Sequence, residues 1–182
     1  MPGSIIAQVH PRAEAEELRF LLIGGYAVIL LGYVRATIDW DFLVPKSDRD
    51  RWKQLFASIG YSVYAETEAF VQLQPPPNMP VVDLMVVNDQ TFEKLQVGSL
   101  SRDVEGHPLC IPSAQNMVAL KLHAARQRSD SDTRDKDLID VVEIVKRNDL
   151  SLDNPEFHEL VLRYGGPDAI GFIKRRTRKE SD

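Results

Sequence analysis

Leu22-Ile23-Gly24-Gly25-Tyr26-Ala27-Val28 continues through apolar residues to Val34, and Arg35-Ala36-Thr37-Ile38-Asp39-Trp40-Asp41-Phe42-Leu43-Val44 follows directly. The order reads as a short buried strand over 20–23, a glycine turn, a helix over 26–34, and a second strand that carries two aspartates. Glycines at the turn open backbone conformations closed to other residues. The stretch 26–34 is apolar almost all round, the pattern of a helix buried on every side. In the second strand successive side chains alternate between faces, so Ile38, Trp40, Phe42 and Val44 point one way and Asp39, Asp41 and Leu43 the other. Both carboxylates therefore share a face, with Cα atoms about 7 Å apart.

Aspartate is disfavoured in strands, and like charges on one face repel. A pair of hard cations would answer both objections, because Mg²⁺ takes one or two carboxylates together with water and substrate phosphates. A solvated strand face is the plain alternative for a bare Asp-x-Asp. The glycine pair is open in the same way. Free N–H groups at a helix start, with the helix dipole behind them, favour phosphate; a tight packing turn explains Gly24-Gly25 without any ligand. Asp83 stands alone in Val81-Val82-Asp83-Leu84-Met85-Val86-Val87 and becomes a third acid if its strand lies beside that of Asp41.

The rest of the chain frames this segment. Its 182 residues suffice for one compact domain, or for a smaller core with a helical appendage. With 43% hydrophobic and 27% charged residues the composition is globular, and a net charge of −5 speaks against an overall nucleic-acid footprint while permitting a local basic patch. Cys110 is the one cysteine, which excludes an internal disulfide or a cysteine-rich zinc site and points to a reducing, cytoplasmic setting. The longest uncharged run, 20–34, is too short and too broken by glycine to cross a bilayer, and it lacks the basic start of a signal peptide.

In chain order, residues 1–10 carry no pattern and 11–19 read as a short helix begun by Pro11. Pro45 stops the aspartate strand, Ser47 caps an amphipathic helix over 48–59, and strands follow at 61–65 and 70–74. The Pro75-Pro76-Pro77-Asn78-Met79-Pro80 connection is stiff and irregular. The strand 81–87 comes next, then a helix from Asn88-Asp89 to about Leu95, and a hairpin over 101–111 turning at Gly106-His107. Helices are expected at 113–128, 134–147, 155–164 and 167–178. The fold class is α+β: a mixed sheet flanked by helices in 1–112, followed by a helical bundle in 113–182 packed on that core.

Gly-Gly, a short helix, Arg-x-Thr-x-Asp-x-Asp on a strand and a third Asp some forty residues on resemble the DNA polymerase beta-like nucleotidyltransferase superfamily. Ile23-Gly24-Gly25-Tyr26-Ala27-Val28, Arg35-Ala36-Thr37-Ile38-Asp39-Trp40-Asp41, and Ala119-Leu120-Lys121-Leu122 with Arg134-Asp135-Lys136-Asp137-Leu138-Ile139-Asp140 are similar to abortive-infection, type IV toxin–antitoxin members. The likeness covers about residues 20–145. It implies Mg²⁺-dependent transfer of a nucleoside monophosphate from NTP, such as ATP, to an acceptor hydroxyl. Asp39, Asp41 and Asp83 would hold two Mg²⁺ ions, Gly24 and Gly25 would cradle phosphates, and Arg35 and Thr37 would contact the nucleotide. The implied acceptor is RNA, tRNA or protein, with an antitoxin protein as partner. The alternatives are an antibiotic-modifying, small-molecule nucleotidyltransferase and a catalytically silent module that binds a partner. Where many members have Gly-Ser at the turn, this chain has Gly25, which leaves backbone contacts alone.

Helical phase adds Lys121. It lies inside the apolar sector of Met117, Val118, Ala124 and Ala125, a costly place for a lysine unless it reaches an anion or snorkels outward. A cleft-facing Lys121 on NTP phosphates is expected, with Arg128 on the same side. Lys136, Asp140, Glu143 and Arg147 cluster at helical spacing as an exposed ion-pair network. Asp137 sits at the margin of the next apolar face, placed to orient Lys121 or Arg35. His10, His107, His123 and His158 show no metal-ligand spacing. The basic run 174–179 is a solvated helix end, or a contact for RNA or an acidic partner.

Overall fold

The structure, a computed structural model, describes residues 4–177, so the first three residues and Arg178 and Lys179 of the terminal basic run lie outside the described part. The chain divides into two compact units. One comprises the residues up to Ala27 together with Arg35–Pro112, the other Val28–Val34 together with the residues from Ser113 onward.

The first unit opens with helix α1 (Ile5–Ala15), where an early, patternless segment was expected. Ser4 caps it, accepting the N–H of Ile6 at 3.1 Å, and Ile5, Ile6, Val9 and Ala13 form a buried stripe at helical spacing. That stripe carries the helix across Pro11, which forfeits one backbone hydrogen bond. Strand β1 (Leu21–Leu22) leads to α2 (Gly24–Leu30), and strand β2 (Trp40–Pro45) follows. A single 3-10 turn (Lys46–Asp48) enters α3 (Arg49–Ser58). Strands β3 (Ser62–Glu66), β4 (Phe70–Gln74) and β5 (Val82–Val87), helix α4 (Asp89–Gln96) and the hairpin of β6 (Leu100–Val104) and β7 (His107–Ile111) complete the unit.

Five strands form a mixed sheet in the order β1-β2-β5-β4-β3. β2 and β5 run parallel at its centre, while the other pairs are antiparallel. β3 is the outer strand and is exposed along its whole length. Phe42 on β2 meets Trp52 and Phe56 of α3 at ring-centroid distances of 6.1 and 6.2 Å, and Phe20 packs edge-on against Trp52 at 5.3 Å. This aromatic layer fixes α3 on the sheet. Asp48 is buried, its carboxylate accepting from the backbone N–H and the Nε of Arg19, both at 3.3 Å. Ser47, expected as a cap, instead hydrogen-bonds Asp89. Asn88 does cap α4, accepting from the N–H of Thr91 at 2.8 Å.

Two expectations for the opening segment need correcting. The aspartate strand begins only at Trp40, so Ile38 lies outside it and is 78% exposed. The stretch 26–34 is not buried on every side either: Ala27, Val28 and Leu31 are buried, whereas Val34 is 83% exposed.

The second unit contains α5 (Ala114–Gln127), α6 (Ser131–Arg147) and α7 (Pro155–Thr177). Ser113 and Asp130 cap α5 and α6 through the N–H groups of Asn116 and Thr133, at 3.2 and 2.9 Å. The amide of Asn148 ties the end of α6 to the carbonyl of Leu31 at 3.0 Å. As expected, two helical segments follow 155: α7 is broken at Gly166 (φ 76°, ψ −178°), and Pro167 starts its second segment. Among the described residues no helix is long and apolar enough to cross a membrane.

Trp52 is fully buried and its indole N–H donates to the carbonyl of Arg19 at 3.2 Å. Trp52→Ala is expected to lower unfolding free energy by about 3–5 kcal/mol, read as a shift of the guanidinium denaturation midpoint.

Candidate active site

The parallel pairing of β2 and β5 sets Asp41 directly opposite Asp83, so two acids distant in sequence become cross-strand neighbours. Both are half-buried, whereas Asp39 lies one residue before β2 and is exposed. Asp83 feels the crowding: burial first, then the charges of Asp41 and Asp39, push its carboxyl up to about 6. A hydrogen bond from Gln72, its cross-strand partner on β4, pulls the other way. One carboxylate oxygen of Asp83, Oδ1, is buried without a hydrogen-bond partner. An orphaned buried acceptor beside a second carboxylate is a hard-oxygen donor set of the kind Mg²⁺ takes, with water and phosphates filling the remaining positions. Among the described residues no group of three His, Cys, Asp or Glu side chains is arranged to hold a metal ion by itself. The donors that the protein itself offers are therefore few.

The glycine turn is built against these acids. The backbone N–H of Ile23 donates to the carbonyl of Asp41 at 2.9 Å, anchoring the turn to β2. Gly24 has φ +63°, and a Cβ there would lie 1.8 Å from Oδ2 of Asp41. A Cβ on Gly25 would lie 2.2 Å from Oγ1 of Thr37 and 3.2 Å from Nη1 of Arg35. The glycines are thus required by the neighbouring motif side chains, which occupy the space any other residue would need. Arg35 also donates to the carbonyl of Ala36 at 3.0 Å. In this one unit the fold gathers Gly24, Gly25, Arg35, Thr37, Asp39, Asp41 and Asp83.

Two residues with no assigned role join them. Tyr26 stacks on Trp40 with ring centroids 3.9 Å apart and planes 18° from parallel. Burial, then the charges of Glu105 and Asp39, hold the Tyr26 phenol above its usual range. The alternation of the strand marked Trp40 only as core. An aromatic residue directly after Gly-Gly, with another between the two acids, was the available signal.

In the helical unit Asp137 takes Lys121, one of the two partners expected for it. The ammonium of Lys121 is nearly buried and sits 2.8 Å from Oδ1 of Asp137 and 2.8 Å from Oδ2 of Asp140. Asp140 is fully buried, so it does not belong to an exposed network; only Lys146 and Arg147 remain on Glu143 at the surface. Arg128 reaches the other oxygen of Asp137 at 3.4 Å. The anions that Lys121 needs are supplied within its own unit by two carboxylates one helical turn apart on α6.

These geometries fix two expectations. An aspartate whose folded pKa exceeds its unfolded value holds its proton more tightly when folded. The stability it contributes is complete below the ordinary carboxylate pKa and is lost as pH rises through about 6. In chelator-treated buffer, Asp83→Asn should therefore raise the melting temperature at pH 8, with a gain that shrinks as pH falls from 6 toward 4. Lys121→Met removes the ammonium that lies between two buried carboxylates and should cost about 3–5 kcal/mol in denaturant titrations.

Comparison with known proteins places this arrangement. Three solved structures share the fold across most of the chain. The antibiotic-resistance factor ANT(2'')-Ia is 15% identical, with a TM-score of 0.67 over 95% of this chain and 96% of its own. The lincosamide antibiotic adenylyltransferase LnuA, lincomycin-bound, is 15% identical, with a TM-score of 0.56 over 80% of this chain and 96% of its own. An antigenic nucleotidyltransferase-like protein from Paracoccidioides brasiliensis is 16% identical, with a TM-score of 0.55 over 93% and 90%. No curated protein matches the sequence at a significant level. Residues 12–169 match the profile described as nucleotidyl transferase AbiEii toxin, type IV TA system. By that match, across most of its length, the chain belongs to the AbiEii family of nucleotidyltransferases.

Proposed function

We propose that this nucleotidyltransferase moves a nucleoside monophosphate from an NTP to a hydroxyl of an RNA acceptor, tRNA included, and acts as the toxin of a toxin–antitoxin pair in the cytoplasm. The observation that carries the reading is Asp41 opposite Asp83, with the α-carbon of Gly24 pressed against the Asp41 carboxylate.

In this reading Asp39, Asp41 and Asp83 would hold two Mg²⁺ ions, which would supply charge stabilisation to an in-line displacement. The protein's own groups do the rest. Gly24 and Gly25 let the backbone approach the triphosphate closely, while Arg35 and Thr37 flank it. Asp83 also takes the role of base toward the proton of the acceptor hydroxyl. The Tyr26–Trp40 stack walls the site. Lys121 and Asp137 enter as a positioning pair that sets α5 against α6, since the lysine is held by Asp137 and Asp140. The family's description as a type IV toxin supports an antitoxin protein as partner.

Incubation with each α-labelled NTP, Mg²⁺ and cell extract tests the proposal. Label should enter the RNA fraction with wild type and fall to background with Asp39→Ala/Asp41→Ala. Label that persists in the double variant overturns the metal-site assignment. Label found in protein or in a small molecule overturns the RNA acceptor, the latter in favour of an antibiotic-type activity. Absence of NTP binding by wild type identifies a silent module.

A further inference from the structure

The helical unit contains a cavity of about 600 Å³ between α5, α6 and α7, within the range of small-ligand pockets, about 300–1,000 Å³. Its apolar part comes from Leu122 and Ala125 on α5, Leu138 on α6, and Ala169 and Phe172 on α7. Arg126, Arg128, Arg134 and Arg175 also line it, against only Asp135 and Asp168. Four guanidiniums around one cavity stand out in a chain of net charge −5.

Two of these arginines are already engaged: Arg128 reaches Asp137 at 3.4 Å, and Arg126 donates to the carbonyl of Arg163 at 3.4 Å. Arg134 and Arg175 are exposed and make no ion pair among the described residues. Asp135 follows Arg134 directly on α6, a spacing at which helical side chains diverge.

The pocket follows from the break in α7. Gly165 lets α7 approach α5 so closely that a Cβ there would lie 2.9 Å from Cδ2 of Leu122. Gly166 then adopts a backbone conformation that is essentially glycine's alone, and Pro167 starts the segment that brings Ala169, Phe172 and Arg175 to the cavity. Phe172 carries the guanidinium of Arg176 at 3.8 Å from its ring centroid, so the aromatic wall is itself cationic on one side.

We propose that this cavity is a subsite for one phosphorylated nucleotide unit of the acceptor RNA, with Arg134 and Arg175 on the phosphate and the apolar wall of Leu122, Leu138 and Phe172 against sugar and base. The inference rests on the reading of RNA as acceptor and names the residues that would bind it. Guanidinium forks match phosphate geometry bidentately, and unstacked bases pack on aromatic and arginine planes. An acidic peptide would satisfy the charges alone, whereas a nucleotide also brings a planar base to the ring of Phe172.

The test is fluorescence anisotropy of a labelled, mixed-sequence single-stranded RNA with the full chain across a KCl series. Comparing wild type with Arg134→Ala/Arg175→Ala, RNA affinity should fall at least about tenfold. The slope of log affinity against log salt should shrink by about 1.4, from two phosphate contacts at about 0.7 each. Arg134→Lys/Arg175→Lys should recover most of the slope and only part of the affinity. It also serves as the second variant if circular dichroism shows the alanine form misfolded. Mg²⁺–NTP binding should be unchanged in all of these variants. Asp39→Ala/Asp41→Ala should keep its RNA affinity, so that failure of the transfer chemistry is read separately from failure of this subsite. An unchanged affinity and slope in folded variants overturns the proposal, as does absence of RNA binding by wild type. Arginine-dependent binding of free AMP or of an acidic peptide, with RNA unaffected, overturns it as well.

Discussion

The parallel pairing of β2 and β5 brings Asp41 and Asp83 side by side, and most of the first unit is arranged around tolerating that approach. Two half-buried carboxylates raise each other's affinity for protons, and Asp83 is pushed up by burial and by the charges of Asp41 and Asp39. Gln72 relieves it in part from the next strand. Beneath the pair, Phe42, Trp52 and Phe56 supply the apolar burial that holds the strands in register. On the other side of β2, the glycine turn leaves room for the Asp41 side chain. A fold that pairs like charges at its centre has a use for a cation or a proton there.

The helical unit handles buried charge in the opposite way. Lys121, Asp137, Asp140 and Arg128 neutralise one another inside a unit of three main helices, each ion held by a partner of opposite sign. Burying such a set is seldom a net gain over apolar packing, but it makes the register of α5 against α6 hard to shift, because any slip strands a charge. The first unit sets two half-buried acids side by side, whereas the helical unit sets a lysine between its two buried acids.

Much of the sheet could be read from residues alone. Val81 to Val87, the hairpin around Gly106 and the Asn88 cap each carry a local signature, and the structure follows it. The neighbouring placement of Asp83 and Asp41 could only be stated as a condition, since strand order is a long-range property that no local pattern encodes. The start of the aspartate strand was misplaced because Ile38 fits the alternation without being paired. The first helix was placed too late, at 11–19, because Pro11 was taken for its start and the stripe of Ile5, Ile6, Val9 and Ala13 ahead of it went unread. Asp140 was taken for a surface charge on spacing, which cannot tell a partner on the same helix from Lys121 on another. The glycine pair was legible as a turn, but its crowding against Asp41 and Thr37 was not, because a missing Cβ shows its meaning only in three dimensions.

The crossover between β2 and β5 has a temporal side. Between Pro45 and Val82 the chain must lay down a helix and a hairpin before it returns beside the strand it left. Parallel pairings of this kind close late, because loop entropy is lost before the contacts reward it. A nascent chain that has emerged only through β4 therefore holds Asp39 and Asp41 without the acid that completes them. That order of assembly leaves the side-by-side placement of Asp41 and Asp83 unmade until translation has passed the middle of the first unit.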